Sequence, residues 1–132
     1  MIYELIIPGT LPGLNEYIDT ERGTHGAQTA ARLKRVVQER IGWCIAQQLR
    51  SVQVRGIADL HFLWLEPSKR RDKDNIAFAK KFILDAMVES GLLGGDGWKH
   101  IGQLRDDFAV DKECPRVIVR IEERQEGDEC TG

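Results

Sequence analysis

Apolar and polar positions succeed one another along this chain in distinct periodicities, and each periodicity predicts an element. Residues 2–7 form a short β-branched and apolar run closed by Pro8-Gly9, which reads as a first strand. From 28 to about 50, Leu33, Val37, Ile41, Ile45 and Leu49 recur every four residues with Ala30 and Cys44 beside them, an amphipathic helix. Its other face carries Arg32, Lys34, Arg35 and Glu39 and reads as solvated. Residues 57–65 place Ala58, Leu60, Phe62 and Trp64 on one side and Ile57, Asp59, His61, Leu63 and Leu65 on the other. Apolar character on both sides predicts a strand central in its sheet, with His61 as a hydrogen-bonded structural residue. A second helix follows over 75–90, with Ile76, Ala79, Ile83 and Met87 on one stripe, Phe82 and Ala86 widening it, and Gly91 as its stop. Residues 98–108 read as a third strand. Residues 116–123 alternate cleanly, with Val117, Val119 and Ile121 inward, as a half-exposed fourth.

The order β-α-β-α-β-β predicts an α+β fold, a small mixed sheet with two helices packed on one face. We place one domain over 1–123 and a flexible tail over 124–132. Residues 8–26 are rich in glycine and proline, with Asn15, Tyr17, Arg22 and His25 among them, and read as a long loop. Such a loop is either a surface connection or a substrate contact.

Composition narrows the class without naming a function. Of 132 residues, 42% are hydrophobic and 30% charged, which is the balance of a folded globular domain and excludes global disorder. No apolar run has membrane-spanning length, and the first residues lack a signal peptide's basic start, so a cytoplasmic protein without a membrane partner is expected. Cys44, Cys114 and Cys130 are odd in number and widely spaced, without a Cys-x-x-Cys pair; they read as free thiols. The net charge of −2 conceals two basic clusters, one at Arg32-Leu33-Lys34-Arg35 and one beginning at Lys69.

The second cluster is where chemistry concentrates. Lys69-Arg70-Arg71-Asp72-Lys73-Asp74-Asn75 packs four cations and two carboxylates between the second strand and the second helix. In an extended segment Asp72 and Asp74 point to the same side and can share one Mg²⁺, a hard cation that prefers carboxylate oxygens. Asp96, set among Gly94, Gly95 and Gly97, is the candidate third ligand, its glycines allowing close approach to a metal or phosphate. On a helical projection Lys81 points away from the apolar stripe and Lys80 lies at its edge, which makes Lys81 the better candidate for a phosphate contact. The bland alternative for Asp74 is a helix N-cap, worth roughly 1 kcal/mol.

The run Arg70-Arg71-Asp72-Lys73-Asp74-Asn75, followed by Lys81, Asp85-Ala86-Met87, Gly91-Leu92 and Asp96, resembles the RusA-type Holliday-junction resolvases. The resemblance covers about 57–123, and more loosely the first strand and the loop with Pro12 and Asn15. It implies a Mg²⁺-dependent homodimer, with Mn²⁺ as a substitute, that nicks four-way DNA junctions in pairs during recombination and repair. Carried over by motif, Asp72, Asp74 and Asp96 match the essential carboxylates and metal ligands, and Lys81 matches the essential lysine. Lys69, Arg70, Arg71, Lys73 and Asn15 are the expected DNA contacts. Two departures stand out. The family's lysine usually follows the second aspartate by about one turn, where this chain has Phe78, and Gly95 stands where an acidic residue often precedes the third aspartate. The alternative function is a non-catalytic branched-DNA-binding module in which the aspartates cap the helix.

Overall fold

The computed structural model describes residues 1–23 and 25–125. Its elements are β1 (Ile2–Pro8), α1 (Leu14–Arg22), α2 (Gly26–Gln48), β2 (Ala58–Glu66), α3 (Lys73–Ala77), α4 (Lys80–Glu89), β3 (Ile101–Val110) and β4 (Arg116–Glu123). The strands form one mixed sheet in the order β1-β4-β2-β3; β4 is antiparallel to both neighbours and β2 is parallel to β3. The fold is α+β, as its periodicities predict.

Side-chain alternation explains which face is covered. Leu5 and Ile7 of β1, Leu60, Phe62 and Trp64 of β2, and Val117, Val119 and Ile121 of β4 are buried in one cluster with Val37, Ile41 and Ile45 of α2 and Phe82, Ile83 and Met87 of α4. Burying side chains of this size stabilises the fold by about 1.5–3 kcal/mol each. The opposite side chains, Ile6, Ile118, Leu63 and their neighbours, stay half-buried or exposed. β2 is therefore internal in the sheet, and its second apolar side faces outward. His61 on that side bonds Asp107 of β3 at 2.6 Å, the structural role its isolation in the strand predicts.

Three differences from the sequence reading have physical causes. The long loop contains a helix, α1, whose apolar face is only Leu14, Tyr17 and Ile18 and whose start is held both locally, by Glu16 on the Gly13 N–H, and from Asn75, sixty residues later. The second helix begins at Lys73 rather than Asn75 and breaks at Phe78 and Ala79, where Ala79 N–H bonds Ile76 and Lys81 N–H bonds Phe78 in tight three-residue turns. Finally, the chain stays anchored at Arg124: its N–H bonds the Ile57 carbonyl, and its guanidinium makes two bonds to Asp59 at 2.8 and 3.0 Å. The rest of the predicted tail, with Cys130, lies in 126–132, outside the described residues. Cys44 is buried and Cys114 exposed, both as free thiols. Among the described residues no helix is long and apolar enough to cross a membrane.

Candidate active site

β2 and β3 run parallel and end together, and the segment leaving β2 folds over their carboxyl ends. The result is a groove of about 750 Å³ lined by Asp72 and Asp74, by Lys69 and Lys73, and by Phe108 and Val110 of β3, with Glu66 and Arg71 in its wall. Strand carboxyl ends at the edge of a parallel pair are a common ligand position.

One ion pair fixes the segment. Glu66, the last residue of β2, is 7% exposed, and Arg71 meets both its oxygens at 2.9 Å. The same guanidinium bonds the Leu11 carbonyl at 2.9 Å and Glu16 at 3.4 Å. A buried carboxylate requires such a partner, and the planar fork of arginine satisfies both oxygens at once. Arg71 is thus committed to the fold, in contrast to its expected place among the DNA contacts.

Asp72 occupies the N-cap position of α3 in extended backbone, and Asp74 follows in the helix's first turn. The two are not a pair on one extended segment, and the cap belongs to Asp72 rather than Asp74. Its side chain makes no cap hydrogen bond. Both carboxylates are exposed to the groove, and neither has a hydrogen-bond or ion-pair partner among the described residues. Lys69 and Arg70 are likewise exposed and unpaired among the described residues, while Lys73 lies over the Phe108 ring, 5.7 Å from its centroid.

Asp96 is not in this groove. It sits before β3, where Lys81 reaches it at 3.4 Å and also holds Asp85 at 3.0 Å. Among the described residues no three His, Cys, Asp or Glu side chains are gathered as a metal site, so the expected trio of Asp72, Asp74 and Asp96 is divided between two places. Nor is Gly95, which precedes Asp96, explained by room for a ligand. A Cβ on Gly95 would stand 2.6 Å from the His100 ring, so the glycine makes room for His100.

The two lysines separate as their helical positions predict. Lys81 is exposed, and its pKa is raised above 10.5, first by the hydrogen bond and charge of Asp85 and then by Asp96. Lys80 turns inward, pairing with Asp106 of β3 over the Phe62 ring; Asp106 also accepts the Trp64 indole N–H at 2.9 Å. Asn15 is exposed, but its backbone N–H is taken by the Asn75 side-chain carbonyl at 2.9 Å.

Sequence reasoning missed Glu66, Asn75 and Asp106. A glutamate ending a hydrophobic strand five residues before an arginine was the available signal for the first. The other two are partners across long sequence separations and leave no local pattern. In comparisons with known proteins, no family model and no curated relative matches the chain.

Asp72 and Asp74 line one groove and are unpartnered among the described residues, and Mg²⁺ takes only one or two protein carboxylates when substrate phosphate and water complete its shell. Glu66 does not join them, because Arg71 occupies both its oxygens.

Proposed function

We propose that this chain is a Mg²⁺-dependent, structure-selective endodeoxyribonuclease that nicks branched DNA such as four-way junctions in recombination and repair, acting as a two-fold homodimer. The observation that carries this reading is the pair Asp72 and Asp74. Both line a groove, neither has a partner among the described residues, and beside them Lys69, Arg70 and Lys73 also lack carboxylate partners among the described residues. Structural carboxylates in this fold, such as Glu66, Asp59 and Asp106, are each engaged by an arginine or lysine.

In that groove Asp72 and Asp74 would hold Mg²⁺, or Mn²⁺ in its place, which when bound activates a water and neutralises charge developing on phosphate. Lys69 and Arg70 hold the DNA backbone, and Lys73, set on Phe108, adds positive charge at the groove's edge. Lys81, paired with Asp85 and Asp96 outside the groove, remains a cation with a raised pKa, so any contact it makes with DNA is electrostatic and not that of a general base. A non-catalytic reading in which the aspartates cap the helix has no cap hydrogen bond to rest on. A two-fold dimer suits a near-symmetric junction by offering one site to each of two equivalent strands.

The test is a synthetic four-way junction with the purified protein and Mg²⁺. The Asp72→Asn and Asp74→Asn variants should bind the junction and fail to nick it, because they keep the groove's shape and lose the ligand charge. Undiminished nicking by either variant overturns the assignment.

A further inference from the structure

The two edges of the sheet are treated differently. At β1 the Gln48 side chain accepts the Ile6 N–H and donates to the Ile6 carbonyl, both at 2.7 Å, and Arg40 bonds the Pro8 carbonyl. The Ile6–Pro8 half of that edge is occupied by α2. At β3 Asp111 N–H bonds the Glu66 carbonyl on β2, so by strand alternation the backbone groups of Leu104, Asp106 and Phe108 face away from β2. Side chains along that strand are unusually open, with Leu104 48% and Val110 46% exposed. A long, uncovered edge is a template for another strand.

We infer that two copies of this chain pair along β3, antiparallel and centred on Asp106, joining their sheets into one. The register follows from the residues. Centred there, Arg105 of each copy lies opposite Asp107 of the other, and Leu104 opposite Phe108, giving two ion pairs and two apolar pairs. The facing Asp106 carboxylates each keep their own Lys80 and Trp64. A centre on Arg105 opposes two arginines; a centre on Asp107 leaves Arg105 against Ala109. In the single chain Arg105 only reaches along its own strand to Asp107, at 3.1 Å. Arg105 and Asp107 are a non-hydrogen-bonded cross-strand pair in this register, the kind whose side chains approach most closely. This surface locates the dimer invoked in the proposed function and rests on that reading only for its two-fold symmetry.

Sedimentation of the full chain without DNA tests the pairing while the nicking assay tests the metal-dependent chemistry, so a failure of the β3 surface leaves the chemistry of Asp72 and Asp74 standing and the reverse. The wild type should be dimeric at micromolar concentration. Arg105→Asp and Asp107→Arg each place like charges opposite one another and should weaken the dimer at least about tenfold. Mixed together, the two variants carry opposite charges on the paired strands and should form a heterodimer. A monomeric wild type, a dimer that survives both substitutions, or a mixture that stays monomeric overturns the proposal. Register is read by cross-linking in a chain with Cys114→Ser and Cys130→Ser. Arg105→Cys mixed with Asp107→Cys should form an intermolecular disulfide, since those Cα atoms would lie about 4.5 Å apart. Neither variant should do so alone, because its own copies would be about 8 Å apart, beyond disulfide reach. Efficient cross-linking of one variant alone overturns the register.

Discussion

The side-chain carbonyl of Asn75 accepts the backbone N–H of Asn15 at 2.9 Å, so the helix behind the acidic segment caps another helix sixty residues earlier. The close approach is possible because Gly13 has no Cβ; one added there would stand 2.6 Å from Asn75 Oδ1 and 2.9 Å from its backbone oxygen. Asn75→Ala should therefore cost about 1 kcal/mol in urea unfolding and speed amide exchange at the start of α1. Asn75→Asp keeps the acceptor and should cost less. Gly13→Ala should cost about 1–3 kcal/mol, because backbone must move to admit it. Equal stability of Asn75→Ala and wild type would show that the cap is not used.

Neighbouring arginines should behave oppositely. Arg71→Ala strands the buried Glu66 carboxylate and is expected to destabilise the protein by about 3 kcal/mol. Lys69→Ala and Arg70→Ala, which break no hydrogen bond or ion pair among the described residues, should alter stability by no more than about 0.5 kcal/mol. If those two residues hold DNA phosphates, each substitution should reduce the salt dependence of junction binding by roughly 0.9 in logarithmic slope. Chemical unfolding and binding titrations across salt concentrations separate the two effects.

The adjacent lysines offer a parallel contrast. Lys80→Met removes the partner of half-buried Asp106 and should lower stability by about 1–2 kcal/mol. Lys81→Met should leave stability nearly unchanged while lowering nicking rate. Because Asp85 and Asp96 raise the Lys81 pKa, its ion pairs are fully formed below the ordinary lysine value of 10.5 and are lost only as pH rises through the raised one. The pH–rate profile should accordingly show no limb from Lys81 at neutral pH. A limb that disappears in Lys81→Met would assign it a proton-transfer role instead.

Acid stability should depend on three aspartates. The pKa of Asp59 is lowered chiefly by its bond to Arg124, that of Asp107 by His61 and that of Asp111 by Arg116. Depressed folded-state values mean that their stabilisation is present above the ordinary value of 3.8 and is lost as pH falls through the depressed ones. Unfolding midpoints should hold steady down to about pH 4 and fall below it. Asp59→Asn should flatten that acid limb, which urea titrations at several pH values would reveal.

Periodic burial was the legible part of this fold. The four-residue recurrence from Val37 to Leu49 and the alternation of Val117, Val119 and Ile121 identify their buried faces because burial acts on every turn or every second residue. α1 is hard to read because its apolar face is short and part of its start is held by Asn75, outside its own sequence. The candidate site was half legible. Asp72 and Asp74 line one groove, though as a helix N-cap and a first-turn residue rather than as an extended pair, and the place of Asp96 depends on how the chain before β3 packs around Lys81 and His100. Arg71 reads as one of four cations in a charged run; only the burial of Glu66 distinguishes it.

The Gln48 clasp on Ile6 bears on how far assembly can go. A sheet whose two edges were both open could add copies without limit, each new strand exposing the next template, and would tend toward fibres. Here α2 spends a side chain on both polar groups of one β1 residue, and Arg40 closes the strand's end. A strand added along the full length of β1 would have to displace Gln48 and Arg40, which biases strand addition toward β3 and against growth beyond the pair. Gln48, which does not line the groove, is in this sense a residue that limits self-association.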